Sequence, residues 1–185
     1  MKAIEELMKE HRGIEVMLRV LEAISRQAEA SEPLNPKDLD EIVEFLTIFA
    51  EKCHHGKEED LLIPAMEAAG IPRDGGPIGH MLAEHAEGRR IIRRFTAALD
   101  EYQAGKNSAS SEIASAAKDY VKLLSQHIKK EDEVLYPLVE KRFNAENDKK
   151  LVEAFEELEQ KRIGPGKHEE FHKLLQYLEK KYLER

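Results

Sequence analysis

The sequence predicts an all-α protein in which four long helices form a bundle and two shorter helices follow at the C-terminal end. Charged residues make up 36% of the chain and tryptophan is absent, a composition typical of helical proteins. Apolar residues recur every three or four positions along four long segments, as they do on the buried face of a helix. Residues 53–64 and 126–137 repeat one pattern, which indicates that one half of the bundle echoes the other.

The first two helices are defined by their apolar stripes and by the signals between them. The first helix should extend to about Glu29. Asn35 and Pro36 mark the start of the second helix, because asparagine caps a helix and proline fits its first turn. We expect Pro64 to kink or end this helix and Gly70 to stop it. The stripes comprise Ile4, Leu7, His11, Ile14, Leu18 and Leu21 in the first helix, and Val43, Leu46, Ala50, His54, Glu58 and Leu61 in the second.

The third and fourth helices repeat this arrangement. Residues 71–76 are rich in turn-forming residues, and Pro77 opens the third helix. A second loop at residues 105–110 leads to the fourth helix, which should end near Phe143. We interpret the four helices as one helical hairpin that was duplicated. The stripes are Ile78, Met81, His85, Gly88, Ile92, Phe95, Leu99 and Tyr102 in the third helix, and Ile113, Ala117, Tyr120, Leu124, His127, Glu131 and Val134 in the fourth.

Residues 144–185 form a C-terminal helical extension, and we expect it to belong to the same domain as the bundle of residues 1–143. A polar break at residues 144–148 precedes a short helix, and Gly164-Pro165-Gly166 ends that helix. The last helix should run from Lys167 to Leu183. Phe171, Leu174 and Leu178 give it an apolar face, so it should dock on the bundle.

Charge and cysteine content narrow the function. A net charge of −8 disfavours a phosphate-binding surface, so we expect no nucleic-acid partner. No apolar run approaches the roughly 18–20 residues of a membrane span, and we expect no membrane partner. The N-terminal residues contain no apolar signal core. One cysteine, Cys53, permits no internal disulfide, and these features together predict a cytoplasmic protein.

The repeated stretches carry the candidate site. Each contains His-x-x-x-Glu, a spacing that puts both side chains on one face of a helix. The other two stripes each carry one histidine. Burying four imidazoles and two carboxylates without a cation would cost several kcal/mol, and a metal removes that cost. The donors favour iron, zinc or manganese, and six are too many for one tetrahedral zinc. The sequence therefore predicts a dinuclear centre, with iron the first choice, whose donors are His11, His54, Glu58, His85, His127 and Glu131.

These motifs resemble those of the hemerythrin-like family, the bacterial HHE cation-binding proteins. The resemblance covers residues 1 to about 143. It implies an antiparallel up-down-up-down four-helix bundle that holds two non-haem iron ions bridged by an oxide or hydroxide. Glu58 and Glu131 would bridge the ions, and the four histidines would be terminal ligands. The matching motifs are Glu10-His11, His54 through Pro64, Gly76-Pro77-Ile78-Gly79, Glu84-His85 and His127 through Pro137.

One position departs from the family. Oxygen-carrying members have a further histidine where this chain has Met81, and His80 points about 100° away around the helix. We predict that His168 of the last helix supplies the missing metal ligand, with His172 or Glu84 as less favoured candidates. His55, Glu59 and Asp132 are expected at the edge of the bundle or as hydrogen-bonding partners of the ligands.

The predicted function is the binding of a small ligand, oxygen, nitric oxide or hydrogen peroxide, at an open coordination position of the iron pair. The sequence predicts neither the redox partner nor whether the protein is an enzyme. An apolar shell that includes Leu61 and Val134 should exclude water. The family also suggests an iron-responsive interaction module, or a protein of iron–sulfur repair or nitric-oxide stress. His168-Glu169-Glu170-Phe171-His172 matches a zinc-protease motif, but too few residues follow it to bring a third ligand.

Overall fold

The protein consists of six helices in this computed structural model, which describes residues 1–184. Helical residues make up 86% of residues 1–184, and there is no strand among them. The predicted all-α class is therefore confirmed. The helices are α1 (Lys2–Glu29), α2 (residues 36–68), α3 (Pro77–Gln103), α4 (residues 110–142), α5 (Ala145–Arg162) and α6 (Lys167–Tyr182), with a 3₁₀ turn at Asn107–Ala109 before α4.

Helices α2 and α4 are not α-helical throughout. Helix α2 contains π-helical segments at Phe45–His55 and Glu58–Leu62, and α4 contains one at Glu131–Leu135. Two of these segments end two residues before a proline, Pro64 in α2 and Pro137 in α4. Proline lacks an N–H and clashes with the carbonyl four residues earlier, so the helix adjusts its hydrogen bonding there. Helix α2 therefore continues through Pro64 to Ala68.

Asparagine side chains start α2 and α5. The side chain of Asn35 accepts hydrogen bonds from the backbone N–H groups of Lys37 and Asp38, as predicted. Asn144 forms a capping box with Asn147, in which each side chain accepts from the other residue's backbone N–H. The predicted polar break is therefore present but shorter than residues 144–148: only Phe143 and Asn144 lie between the helices, and the polar residues that follow form the first turn of α5.

A layer of polar residues separates two buried apolar clusters. The first cluster lies on one side, with contributions from residues 14–28 of α1, 39–50 of α2, 91–99 of α3 and 113–128 of α4. The second lies on the other side and contains residues 3–7 of α1 and 135–139 of α4. All the buried histidines fall in the gap between them. The fold thus encloses a water-poor polar layer across the four long helices.

The C-terminal helices pack along the outside of α1 and α2. Phe171 of α6 is buried against the edges of the Phe45 and Phe49 rings. With α5 and α6 in place, residues 53–58 of α2 form six consecutive buried positions. None of the helices within residues 1–184 has the length and apolar character needed to cross a bilayer.

Candidate metal centre

The six residues predicted from the four long helices converge in the polar layer. Each is at most 2% exposed. One ligand atom from each of His11, His54, Glu58 and Glu131 lies within 4.8 Å of the others. A second group of the same tightness consists of Glu58, His85, His127 and His55. Glu58 belongs to both groups, so the donors are arranged around two adjacent points rather than one.

The carboxylates of Glu58 and Glu131 lie between the two groups. Glu131 places Oε2 3.2 Å from Nε2 of His11 and Oε1 3.0 Å from Nε2 of His127. Oε2 of Glu58 lies 3.4 Å from Nε2 of His85 and 3.8 Å from Nε2 of His54. Each carboxylate therefore approaches one histidine of each group, which is the placement that a bridging ligand requires.

The imidazoles present Nε2 to the centre and Nδ1 to an outer carboxylate. There are five such contacts between a histidine and an outer carboxylate. Four of them are hydrogen bonds, whereas Glu51 lies close to His55 without hydrogen-bonding geometry. A carboxylate at Nδ1 keeps the proton there and leaves the Nε2 lone pair directed inward, as in many metal sites. The pairs are His11 with Asp132 at 2.7 Å, His54 with Glu10 at 2.8 Å, His85 with Glu59 at 2.7 Å, His127 with Glu84 at 3.0 Å, and His55 with Glu51 at 3.2 Å.

Basic side chains hold the outer carboxylates in turn. The centre is therefore surrounded by imidazoles, then carboxylates, then cations, and each shell fixes the orientation of the one inside it. The expectation that Glu59 and Asp132 bond to the ligands is confirmed, whereas Glu84, considered above as a ligand itself, bonds to His127 instead. The contacts of this outermost shell are Arg12 with Asp132, Lys57 with Glu10, Arg89 with Glu51 and Glu59, and Lys130 with Glu84.

His55 lies inside the centre, although the sequence predicted it at the bundle edge or as a partner of the ligands. Its side chain is 1% exposed, and its ring stacks on that of His85 with 3.8 Å between centroids. The expected position at the bundle edge is wrong for two reasons. A π-helical segment ends at His55 and changes the angle between neighbouring side chains, and α5 covers the outer side of α2. The adjacent pair His54-His55 was the available signal.

His168 does not join this centre. Its Nε2 lies 3.5 Å from Sγ of Cys53 and 3.3 Å from Oε1 of Glu159, in a separate group of donors. The prediction that the tail folds its histidine over the iron opening is corrected by the packing of α6, which runs along the flank of α1 and α2. His172 and His80 are exposed and belong to neither donor group of the centre.

Tyr136 is a further polar group of the centre. Its buried hydroxyl donates a hydrogen bond to Oε1 of Glu58 at 2.8 Å and lies 3.4 Å from Nε2 of His11. In the repeated stretch Tyr136 occupies the position of Ile63. This aromatic hydroxyl in place of an aliphatic side chain is the sequence difference that marks it.

Unpartnered polar atoms show that the donors suit a cation. Within residues 1–184, eight buried side-chain atoms lack a hydrogen-bond partner, and six of them belong to His54, His55, Glu58 and Glu131. Buried carboxylate oxygens without partners are costly, because nothing replaces the water they have lost. A divalent ion between the two carboxylates would satisfy these atoms together. The residues present therefore fit a metal.

Protons take the place of that positive charge when no ion is bound. Burial disfavours the imidazolium form of His85, but the nearby carboxylates of Glu131, Glu58 and Glu59 outweigh burial and raise its pKa to about 11. The same balance, with Asp132 and Glu131 as the main partners, raises the pKa of His11 to about 9. Burial and the neighbouring His85 lower the pKa of His55, which is therefore a neutral imidazole. Metal uptake must displace protons from some of these rings.

An all-helical fold around paired groups of imidazoles and carboxylates defines a metal-binding helical protein. The family model described as the Hemerythrin HHE cation binding domain matches residues 2–139. The chain belongs to this family, which confirms the resemblance inferred from the sequence and implies a metal cofactor.

The relatives found in curated sequences carry no functional description. They include proteins described as uncharacterized, from Mycobacterium bovis and from two strains of Mycobacterium tuberculosis. Each is 26% identical over 162 residues, covering 88% of this chain and 63% of the relative. The chain thus spans just under two thirds of the length of these relatives. No solved structure gives a significant match to it.

Proposed function

We propose that the protein is a non-haem di-iron protein of the hemerythrin type that binds a small ligand such as oxygen, nitric oxide or peroxide. The observation that carries this proposal is the pair of donor groups that share Glu58. Bound iron would supply electrons and an open coordination position for the small ligand. The proposed metal ligands are His11 and His54 for one ion, His55, His85 and His127 for the other, and Glu58 and Glu131 for both.

His55 replaces His168 as the fifth histidine in this proposal. It is grouped with His85 and His127, and neither of its ring nitrogens has a hydrogen-bond partner. The set of five imidazoles and two carboxylates is thereby complete within the polar layer. Met81, at the position where oxygen-carrying members have a histidine, is buried in the apolar cluster next to the centre.

The outer carboxylates and the basic side chains around them would hold the imidazoles as neutral ligands. Carboxylates keep protons on Nδ1 of His11 and His85, and Arg12 and Arg89 keep those carboxylates ionised and in place. The Tyr136 hydroxyl donates a hydrogen bond to Glu58. The Glu58 carboxylate is therefore held by a protein group in addition to any metal. The chain's own contribution is thus to fix donor orientation and to exclude bulk water.

We further propose that the four long helices alternate in direction. The amino group of Met1 contacts Glu140 at 2.8 Å, which joins the start of α1 to the end of α4. Lys118 contacts Glu29, which joins the opposite ends of the same two helices. These contacts, at both ends of the pair, support an antiparallel bundle of the kind that the family implies.

A cavity beside the centre suits entry of a small apolar ligand. It has a volume of about 310 Å³, lies between α3 and α4, and is bordered by His127 and Glu131 on its inner side. Met81, Leu135 and Val134 line it. Val134 is 57% exposed, so the expectation that it seals the shell against water is wrong, and it lies at the cavity mouth instead. His80, Glu84 and Lys130 also border the cavity, but most of its exposed surface is apolar, which favours a diatomic molecule over a charged substrate.

Metal analysis joined to ligand binding tests the proposal. The purified full chain is expected to hold about two iron atoms. After anaerobic reduction, exposure to oxygen or nitric oxide should change its visible absorption spectrum, because the ligand binds at the iron. Elemental analysis that finds a single tightly held zinc, or a spectrum indifferent to every ligand, would contradict a di-iron centre of this kind.

His55→Ala is expected to lower the iron content from about two atoms per chain to about one. The substitution removes one of the three imidazoles proposed for the second ion and leaves His11 and His54 in place. Loss of a supporting group already costs about 10- to 100-fold in metal affinity, and loss of a ligand should cost at least as much. His80→Ala, at an exposed histidine of α3, is the matched control. If the His55 variant still holds two ions firmly, His55 is not a metal ligand and only packs in the polar layer.

A further inference from the structure

A third group of possible metal ligands lies beside the metal centre. It brings together Cys53 of α2, Glu159 of α5 and His168 of α6 with Glu10 of α1. Glu10 already bonds to His54 and Lys57. The Sγ atom of Cys53 lies 3.5 Å from Nε2 of His168 and 4.0 Å from Oε1 of Glu159, and the latter two atoms are 3.3 Å apart. Cys53, Glu159 and His168 thus bring sulfur, oxygen and nitrogen donors from three different helices to one point.

These separations match the edges of a zinc coordination tetrahedron. Zinc lies about 2.3 Å from sulfur, about 2.0–2.1 Å from nitrogen and about 2.0–2.2 Å from carboxylate oxygen. A tetrahedral angle then places sulfur about 3.6 Å from nitrogen or oxygen, and nitrogen about 3.4 Å from oxygen. The observed edges are 3.5, 4.0 and 3.3 Å. Only the sulfur–oxygen edge needs to shorten, by a few tenths of an ångström.

The local charge also favours a cation. The ammonium group of Lys57 contacts three carboxylates, those of Glu6, Glu10 and Glu159, so negative charge exceeds positive charge among these four side chains. Glu10 is additionally engaged with His54 of the metal centre. Glu159 is the carboxylate of the three that faces Cys53 and His168. The same oxygen, Oε1, also contacts Lys57, so a bound ion would share this carboxylate with the ammonium group.

We propose that Cys53, Glu159 and His168 form a separate mononuclear site for zinc, with a water molecule as the fourth ligand. The His168 side chain is 40% exposed, so the group lies close to the protein surface. The combination of thiolate, imidazole and carboxylate selects zinc among the common divalent ions. Bound there, the ion would join α5 and α6 to α2. The proposal does not depend on iron at the main centre.

Cobalt is the probe, because a thiolate bound to Co²⁺ produces a charge-transfer absorption band in the near ultraviolet that imidazole and carboxylate ligands do not produce. The iron-loaded full chain is titrated with Co²⁺ and then with Zn²⁺ as competitor. The wild-type chain is expected to take up one further ion per chain with the thiolate band, and zinc should remove the band. Cys53→Ser should lack it.

His168→Ala and His172→Ala form the decisive pair. Both histidines lie on α6, but His172 is exposed and pairs with Gln176, one turn further along the same helix. We expect His168→Ala to weaken cobalt binding at least about tenfold and His172→Ala to leave it unchanged. Because His168 is 40% exposed, this variant tests the site even if Cys53→Ser folds poorly.

Two results would overturn the second site: cobalt uptake without a thiolate band, or equal cobalt affinity in the two histidine variants. Lys57 and its three carboxylates would then be a purely structural ion-pair cluster. Iron content measured on the same samples separates this outcome from failure of the di-iron proposal. If the chain binds cobalt through Cys53 but holds no iron, the zinc proposal stands and the di-iron proposal fails.

Discussion

Glu58→Ala is expected to release both metal ions from the centre. Glu58 is the residue common to the two donor groups, and its Oε2 faces His85 at 3.4 Å and His54 at 3.8 Å. Its removal takes one ligand from each ion and leaves Glu131 as the remaining shared carboxylate. Each ion should lose at least about tenfold to 100-fold in affinity, enough to empty the centre during purification.

Two control variants make this result specific. Glu133→Ala removes an exposed carboxylate from α4, next to the centre in sequence, and should leave the iron content unchanged. His11→Ala should reduce mainly the ion that His11 and His54 share. Iron analysis, with circular dichroism to show that each variant is folded, gives the comparison. Equal and mild losses in Glu58→Ala and His11→Ala would show that Glu58 does not bridge.

Removing the metal is expected to lower the stability of the fold markedly. The buried donors of the polar layer lose the cation that satisfies them, and six of their atoms are left without hydrogen-bond partners. One ion held at 1,000 times its dissociation constant stabilises a folded chain by about 4 kcal/mol. For a chain of this size that corresponds to a fall of roughly 8–16 °C in Tm for each ion lost. Calorimetry before and after chelation measures it.

The difference in stability between the metal-bound and the metal-free chain should grow as the pH rises. In the metal-free chain the pKa values of His11 and His127 are raised to about 9, because Glu131 and other carboxylates outweigh the opposing effect of burial. Raised pKa values stabilise the fold fully below the unfolded value of about 6.5, and this contribution is lost as the pH rises through about 9. The metal-bound rings are neutral and lose nothing. Identical melting with and without metal from neutral to alkaline pH would contradict a buried cation site.

The sequence was sufficient to predict the helices and the buried polar residues that follow helical periodicity. His54, Glu58, His127 and Glu131 lie at the same places in two repeated stretches, and an α-helical spacing of four puts each pair on the buried face. His55 does not follow this α-helical spacing, because it lies at the end of a π-helical segment. A local change in hydrogen bonding leaves no clear mark on the spacing of apolar residues.

The position of His168 depends on information that periodicity does not contain. The apolar face of α6 indicates that this helix docks, but not on which side of the bundle or in which direction. Phe171 settles that by packing against Phe45 and Phe49 of α2, a long-range match between side chains. His168 is thereby carried to Cys53 instead of the iron centre.

The complete burial of Cys53 makes it a reporter of motion. It is the only cysteine in the chain, its exposed fraction is 0%, and burial raises the pKa of its thiol, which further slows attack on a labelling reagent. Covalent labelling therefore requires α5 or α6 to separate from α2. The rate of labelling in native buffer measures how often this local opening occurs, without a cysteine having to be engineered into the chain or another one removed from it.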